Sequence, residues 1–225
     1  MLVFDDGPRR VHALKLGSLG TNCYIVETPA RAFVIDPVAD PATIAAYLEA
    51  HRVKPAFAVA THAHFDHIGA AAGLIGRGIV ETICIHGADD RELERCRTYS
   101  VLIGKRPMEL PARERIVWLG PTVSGQLAEA GFGLQHLPSH TPGSCILFSE
   151  DRKLLFSGDI ILNNLVRDVR PAVGESRDGM LAAFDFIEAS FSPSALVFPG
   201  HGKLTLLETE LRFNPSIWRL RNGTQ

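Results

Sequence analysis

The chain is poor in cysteine: Cys23, Cys84, Cys96 and Cys145 are the only four in 225 residues, and no two stand in a CxxC spacing. That scatter excludes a thiolate zinc site and a disulfide framework. It also lacks an excess of either charge. Lys plus Arg number 23 against 25 Asp plus Glu, a formal charge of -2, so no overall field draws the protein to nucleic acid or to an anionic membrane. Long apolar runs are missing too. Nothing approaches the ~18 uninterrupted apolar residues of a membrane span, and the opening MLVFDDGPRR has no apolar stretch of the kind a secretory leader needs. These absences predict a soluble, cytoplasmic protein. A hydrophobic share of 46% excludes disorder, and the length suits a single domain over residues 1–225. What stands out is histidine, with nine residues.

Periodicity organises the chain into strands, then alternating strands and helices, then strands again. Strands are expected at Val11 to Leu16, Cys23 to Glu27 and Ala32 to Ile35, a helix at Pro41 to His51, a strand at Ala56 to Ala60, a helix at Ile68 to Ile75 and a strand at Thr82 to Ile85. Asp89 to Lys105 reads as one helix, charged at its start and apolar at its end. Strands follow at Ile116 to Leu119, Gly133 to Leu137, Cys145 to Phe148 and Lys153 to Phe156. A helix at Leu181 to Ala189, a strand at Leu196 to Phe198 and a helix at Leu204 to Phe213 complete the chain. Two halves of similar make-up predict an α/β fold with two sheets face to face and helices outside.

The histidines concentrate in Thr61-His62-Ala63-His64-Phe65-Asp66-His67, between an apolar strand run and a helix run. Strand alternation puts His62 and His64 on one side, with Asp66 and His67 at the turn into the helix. Two imidazoles two residues apart can share a metal ion, and a carboxylate and third imidazole beside them can begin a second site, because borderline divalent ions take nitrogen and oxygen donors. Three later residues occupy the same kind of place. His140, Asp159 and His201 each end an apolar strand run where it enters a Gly- or Pro-containing loop, where a scaffold presents side chains from several strands to one point.

These stretches carry a resemblance. THAHFDHIG at 61–69, HTPGS at 140–144, FSGD at 156–159 and FPGHG at 198–202, with LGTNCYIVET at 19–28 and VIDP at 34–37, resemble the metallo-β-lactamase fold superfamily, and within it the short glyoxalase II-like hydrolases. The resemblance implies an αββα sandwich of two mixed sheets and a two-metal centre in the cleft. By position, His62, His64 and His140 would hold one ion, Asp66, His67 and His201 the second, with Asp159 bridging. Two divalent ions are implied, zinc foremost, with iron or manganese as alternatives. A hydroxide shared by two such ions attacks acyl carbons, so a metal-dependent hydrolase is expected, acting on a thioester of the hydroxyacylglutathione type, with Asp66 both a ligand and a catalytic group. A mononuclear iron persulfide dioxygenase is the first alternative, a lactonase or phosphodiesterase the second. Asp159 stands where the β-lactamases proper carry Cys or Ser, which sets the resemblance against antibiotic hydrolysis.

Arg167 and Arg170 follow the expected bridging Asp and are candidates to meet a substrate carboxylate bidentately. The expected partner is a small acyl molecule, with no nucleic acid and no membrane; a homodimer is open. Residues 88–111 are expected to form a helical insertion overhanging one side of the cleft, and 204–225 a short C-terminal helix and tail. His12, His51, His86 and His136 fall on no spacing pattern, His86 being the one expected nearest the site. Cys96, on a charged helix, is expected to be exposed.

Overall fold

The computed structural model describes residues 1–164 and 175–223. Seven strands form the first sheet in chain order: β1 (Leu2–Asp5), β2 (Arg10–Leu16), β3 (Thr21–Glu27), β4 (Ala32–Ile35), β5 (Pro55–Val59), β6 (Ile83–Ile85) and β7 (Ile116–Trp118). Five form the second, in the order β12 (Thr205–Leu206), β11 (Leu196–Pro199), β10 (Leu154–Gly158), β9 (Cys145–Ser149) and β8 (Phe132–His136).

Alternation explains why both faces of both sheets are covered. Along β3, Tyr24 and Val26 point inward to meet Phe132, Phe156 and Phe198 of the second sheet, while Cys23 and Ile25 point outward. Tyr24 sits edge-on to Phe156 and Phe198, which stack with centroids 4.6 Å apart. Each such buried ring contributes roughly 1.5–3 kcal/mol. Outside the first sheet lie α1 (Pro41–His51), α3 (Ala71–Gly76) and α4 (Asp90–Leu102), seated through Ile44, Leu74 and Leu93. Outside the second lie α6 (Arg177–Ser190), α7 (Leu207–Phe213) and α8 (Pro215–Asn222), seated through Phe184, Leu207 and Ile217. The architecture is the expected αββα sandwich. No helix among the described residues is long and apolar enough to cross a membrane.

The first sheet is antiparallel through β4 and parallel from β4 to β7, and β10 runs parallel to β11. The C-terminal ends of the parallel strands therefore emerge together. Because β8 and β10 both run antiparallel to β9, β8 ends on that side as well. The loops after β4, β5, β6, β8, β10 and β11 thus gather at one end of the sandwich, where open α/β sheets bind ligands.

Several local expectations differ. The helix expected over Ile68 to Ile75 is two, α2 (Phe65–Ile68) and α3. The chain bends at Gly69, where an added Cβ would stand 3.0 Å from the Phe65 carbonyl oxygen and 3.3 Å from the Ala39 nitrogen. Strand β1, helix α5 (Pro121–Glu129), strand β12 and helix α8 were not expected. In residues 88–111, α4 buries Leu93, Cys96 and Ser100 and leaves its apolar end exposed at Val101, Leu102 and Ile103. Cys96 is buried, its thiol 2.9 Å from the Ala63 carbonyl oxygen. Most of the charge on α4 is exposed, at Arg91, Glu94, Arg95 and Arg97, while Glu92 is buried next to Leu93, so the expectation of an exposed thiol fails.

Candidate metal centre

Strand β5 stops at Val59, and residues 60–64 bend before α2 begins at Phe65. His62 and His64 therefore converge through a bent loop, presenting different ring nitrogens. His62 Nε2 lies 3.0 Å from His64 Nδ1, and His140 Nε2, from the loop after β8, lies 2.9 Å from the same atom. Beside this trio, His67 Nε2 and His201 Nε2 stand 3.7 and 3.3 Å from Asp66 Oδ2. Asp159 lies between the two sets. Its Oδ2 is 3.6 Å from His140 Nε2 and 3.7 Å from His201 Nε2, and its Oδ1 is 3.4 Å from His67 Nε2. All seven side chains singled out in the sequence meet, in overlapping groups whose donor atoms lie within 4.8 Å of one another.

Hydrogen bonds on the outer side of each ring fix which nitrogen faces inward. His140 Nδ1 donates to Glu175 Oε1 at 3.0 Å, and His67 Nδ1 to Asp36 Oδ2 at 2.9 Å. Thr61 passes the same polarity to His62: its hydroxyl donates to Asp36 Oδ2 at 2.8 Å and accepts from His62 Nδ1 at 3.1 Å. The Nε2 atoms of His62 and His140 are thereby left as inward-facing lone pairs, and Nε2 of His67 is turned inward beside them. Thr21, at the start of β3, donates to Asp66 Oδ2 at 2.8 Å. The same strand start holds the His201 loop, with Asn22 Nδ2 donating to the Pro199 and Gly202 carbonyls and the Tyr24 hydroxyl to Pro199. Gly200 is required by close approach, since a Cβ there would stand 2.3 Å from Asp159 Oδ1.

Electrostatics divides the cluster. Burial, and then the neighbouring imidazoles, hold His62 well below the ordinary histidine range and His64 at about 3, so both are neutral donors. Burial also works against a charge on His67, but Asp36, Asp66 and Asp159 outweigh it and raise that ring well above its ordinary value. Burial would raise the two carboxyls; His67 chiefly brings Asp66 down to about 2 and Asp159 well below the ordinary range. Both stay ionised. The donor set fits divalent cations: lone pairs crowd within 3.0 Å with no proton between some of them, and His67 Nε2 is buried without a hydrogen-bond partner. An ion bound there displaces the His67 proton.

Three buried carboxylates around the cluster were not singled out in the sequence. Asp36 and Glu175 are described above. Asp89 lies in the 3-10 turn Gly87–Asp89 after β6, is fully buried, and accepts from the amides of Ala63 and Gly143 and from the Thr141 hydroxyl. Of the three, Asp36 had a visible signal, its place in the VIDP stretch. His86 does not reach the cluster: it stacks on His136 at 3.6 Å and accepts from the Ala88 amide. The β6 end delivers Asp89 to the site instead. Arg167 and Arg170 lie outside the described residues.

Residues 16–201 match the metallo-beta-lactamase superfamily. Among solved structures, the chain is similar to TTHA1623 in a di-iron-bound form, with 29% identity, TM-score 0.81 and coverage of 91% of this chain and 98% of that one. It is also similar to the BLEG-1 B3 metallo-beta-lactamase, with 27% identity, TM-score 0.77 and coverage of 92% and 99%. Among curated proteins, it is 27% identical over 176 residues to the acyl-coenzyme A thioesterase MBLAC2 of Gallus gallus, covering 67% of this chain and 61% of that protein.

Proposed function

The chain belongs to the metallo-beta-lactamase superfamily, and on that premise we propose that it is a metal-dependent hydrolase of acyl thioesters. The observation that carries the reading is the pair of adjoining donor sets that share Asp159. His62, His64 and His140 would hold one ion and Asp66, His67 and His201 the other, with Asp159 serving both. Bound divalent ions, zinc foremost for a nitrogen and oxygen donor set, would polarise the acyl carbonyl and lower the pKa of a bound water.

The chain's own residues supply orientation and charge. Asp36 and Glu175 fix the rings of His67 and His140 and make them better donors. Asp66, held by Thr21 and kept ionised, would accept a hydrogen bond from the attacking water and direct it. A thiolate, whose parent thiol has a pKa of roughly 8.5, needs no proton to depart, whereas a far more basic alkoxide does. The similarity to MBLAC2 supports the same choice.

The test is metal quantification on freshly purified protein, coupled to a panel of hydroxyacylglutathione, acyl-coenzyme A, oxoester, lactone, phosphodiester, β-lactam and persulfide substrates. Two ions per chain and thioester cleavage that is lost on chelation and restored by metal are expected. Undiminished thioester cleavage by metal-stripped protein would overturn the reading. So would one iron per chain with persulfide-dependent oxygen uptake and no thioester turnover.

A further inference from the structure

Asp89 immediately precedes α4, the place of a helix N-cap, and Asp is a favoured cap residue. Its carboxylate nevertheless makes no cap bond to α4. All of its described hydrogen bonds run to two other loops. Oδ2 accepts from the Ala63 amide at 2.9 Å and the Thr141 hydroxyl at 2.8 Å, and Oδ1 from the Gly143 amide at 2.6 Å. Ala63 lies between His62 and His64; Thr141 and Gly143 follow His140. A fully buried carboxylate is costly unless its oxygens are matched by donors, so its stability depends on holding these loops at one separation.

We propose that Asp89 is a positioning residue for the His62, His64 and His140 triad alone, setting the gap between the loop that carries the first two rings and the loop that carries the third. The inference rests on the metal reading above. It goes further because it separates the two donor sets. The Asp66, His67 and His201 set is held by other contacts: Thr21 on Asp66, Asp36 on His67, and Asn22 and Tyr24 on the loop before His201. None of these runs through Asp89. Gly143 belongs to the same clamp, because a Cβ there would stand 2.5 Å from Asp89 Cγ and push the loops apart. Helix α4 is tied in as well, through the Cys96 thiol on the Ala63 carbonyl.

The experiment uses the full chain with Asp89→Asn, which sets an NH2 against an amide donor, and Gly143→Ala, which wedges the clamp while keeping the charge. Asp90→Asn, on the exposed pair with Arg113, is the control. Cobalt(II) binding is titrated against a chromophoric chelator, folding is followed by circular dichroism, and amide exchange is measured on metal-free protein. Asp89→Asn and Gly143→Ala are expected to keep one tight ion per chain, to weaken the other by about ten-fold or more, and to speed exchange at Ala63 and Gly143. The retained cobalt spectrum should be that of the oxygen-richer set, and Asp90→Asn should behave as wild type. Folded variants that bind both ions with wild-type affinity, or lose both equally, would overturn the inference. If Asp89→Asn does not fold, Gly143→Ala decides. A wild type that binds no ion would sink the functional reading, while unchanged exchange at Ala63 and Gly143 in Gly143→Ala would sink this one.

Discussion

Replacing Asp36 by Asn preserves size and removes one acceptor from a place that needs both. Asp36 is 1% exposed. Its Oδ1 accepts from the Thr61 amide at 2.7 Å, and its Oδ2 from the Thr61 hydroxyl and His67 Nδ1. An asparagine can turn its NH2 toward only one side. Turned toward the Thr61 amide, it sets donor against donor. Turned toward His67, it makes the ring accept at Nδ1 and moves the proton to Nε2, the atom that faces Asp66 and Asp159. Either way one buried donor is unmatched, at a cost of about 1–3 kcal/mol. In the first arrangement the cost falls on the metal-free fold; in the second it falls on ion binding, as a loss of roughly 5- to 150-fold. A melting curve of the metal-free protein and a chelator competition measure the two separately, and together they should account for the whole penalty. An Asp36→Asn protein with unchanged melting temperature and ion affinities within two-fold of wild type would refute the assignment of the His67 tautomer.

Two further outcomes follow from buried thiols and from a surface pair. All four cysteines are at most 1% exposed, and burial pushes Cys23 and Cys84 up to about 12 and Cys96 and Cys145 higher still. A thiol reagent at pH 8 should therefore find no reactive group in the native protein and four after denaturation; prompt reaction at Cys96 would contradict its packing. Arg9, in the β1–β2 turn, forks onto Asp151, in the β9–β10 turn, with both contacts at 2.9 Å, and this hydrogen bonding holds the Asp151 carboxyl well below its ordinary 3.8. The pair stabilises when the carboxylate is ionised and is lost as pH falls through the depressed value. Asp151→Asn should therefore lower stability at pH 7 by at most about 1 kcal/mol, since the site is part-exposed, and the gap in melting temperature should begin to narrow below about pH 4 and go on shrinking as pH falls toward the depressed value. A gap as large at pH 2 as at pH 7 would show that the charge is not its source.

The elements legible in the sequence are those with a strong period or a buried run, such as β3, β9, α1 and α4. Helix α5 escaped because Gly125 interrupts it and it buries only Val123 and Leu127. Helix α8 escaped because Ile217 is its single fully buried side chain, so no apolar stripe marks it. The seven donors could be read because four crowd into 62–67 directly after an apolar run and the other three each end one. Of the carboxylates behind them, Glu175 and Asp89 could not, because their partners are distant: 35 residues separate His140 from Glu175, and 54 separate Asp89 from Gly143. Nothing local distinguishes such an aspartate from a helix cap. Proximity along the chain pointed to His86; the fold selected the residue three positions later.

Neither sheet owns a complete donor set. The first contributes His62, His64, Asp66 and His67, from the loop after β5 and the helix α2 that follows it, and the second contributes His140, Asp159 and His201. Each bound ion would therefore act as a crosslink between the two halves of the sandwich, closing loops of more than 70 residues, between His64 and His140, and more than 130, between His67 and His201. Ion affinity then includes the free energy of docking one sheet on the other. A core substitution among the inter-sheet aromatics, at Phe156 or Phe198, should weaken metal retention without touching a ligand, and metal loss should loosen the packing of those same rings.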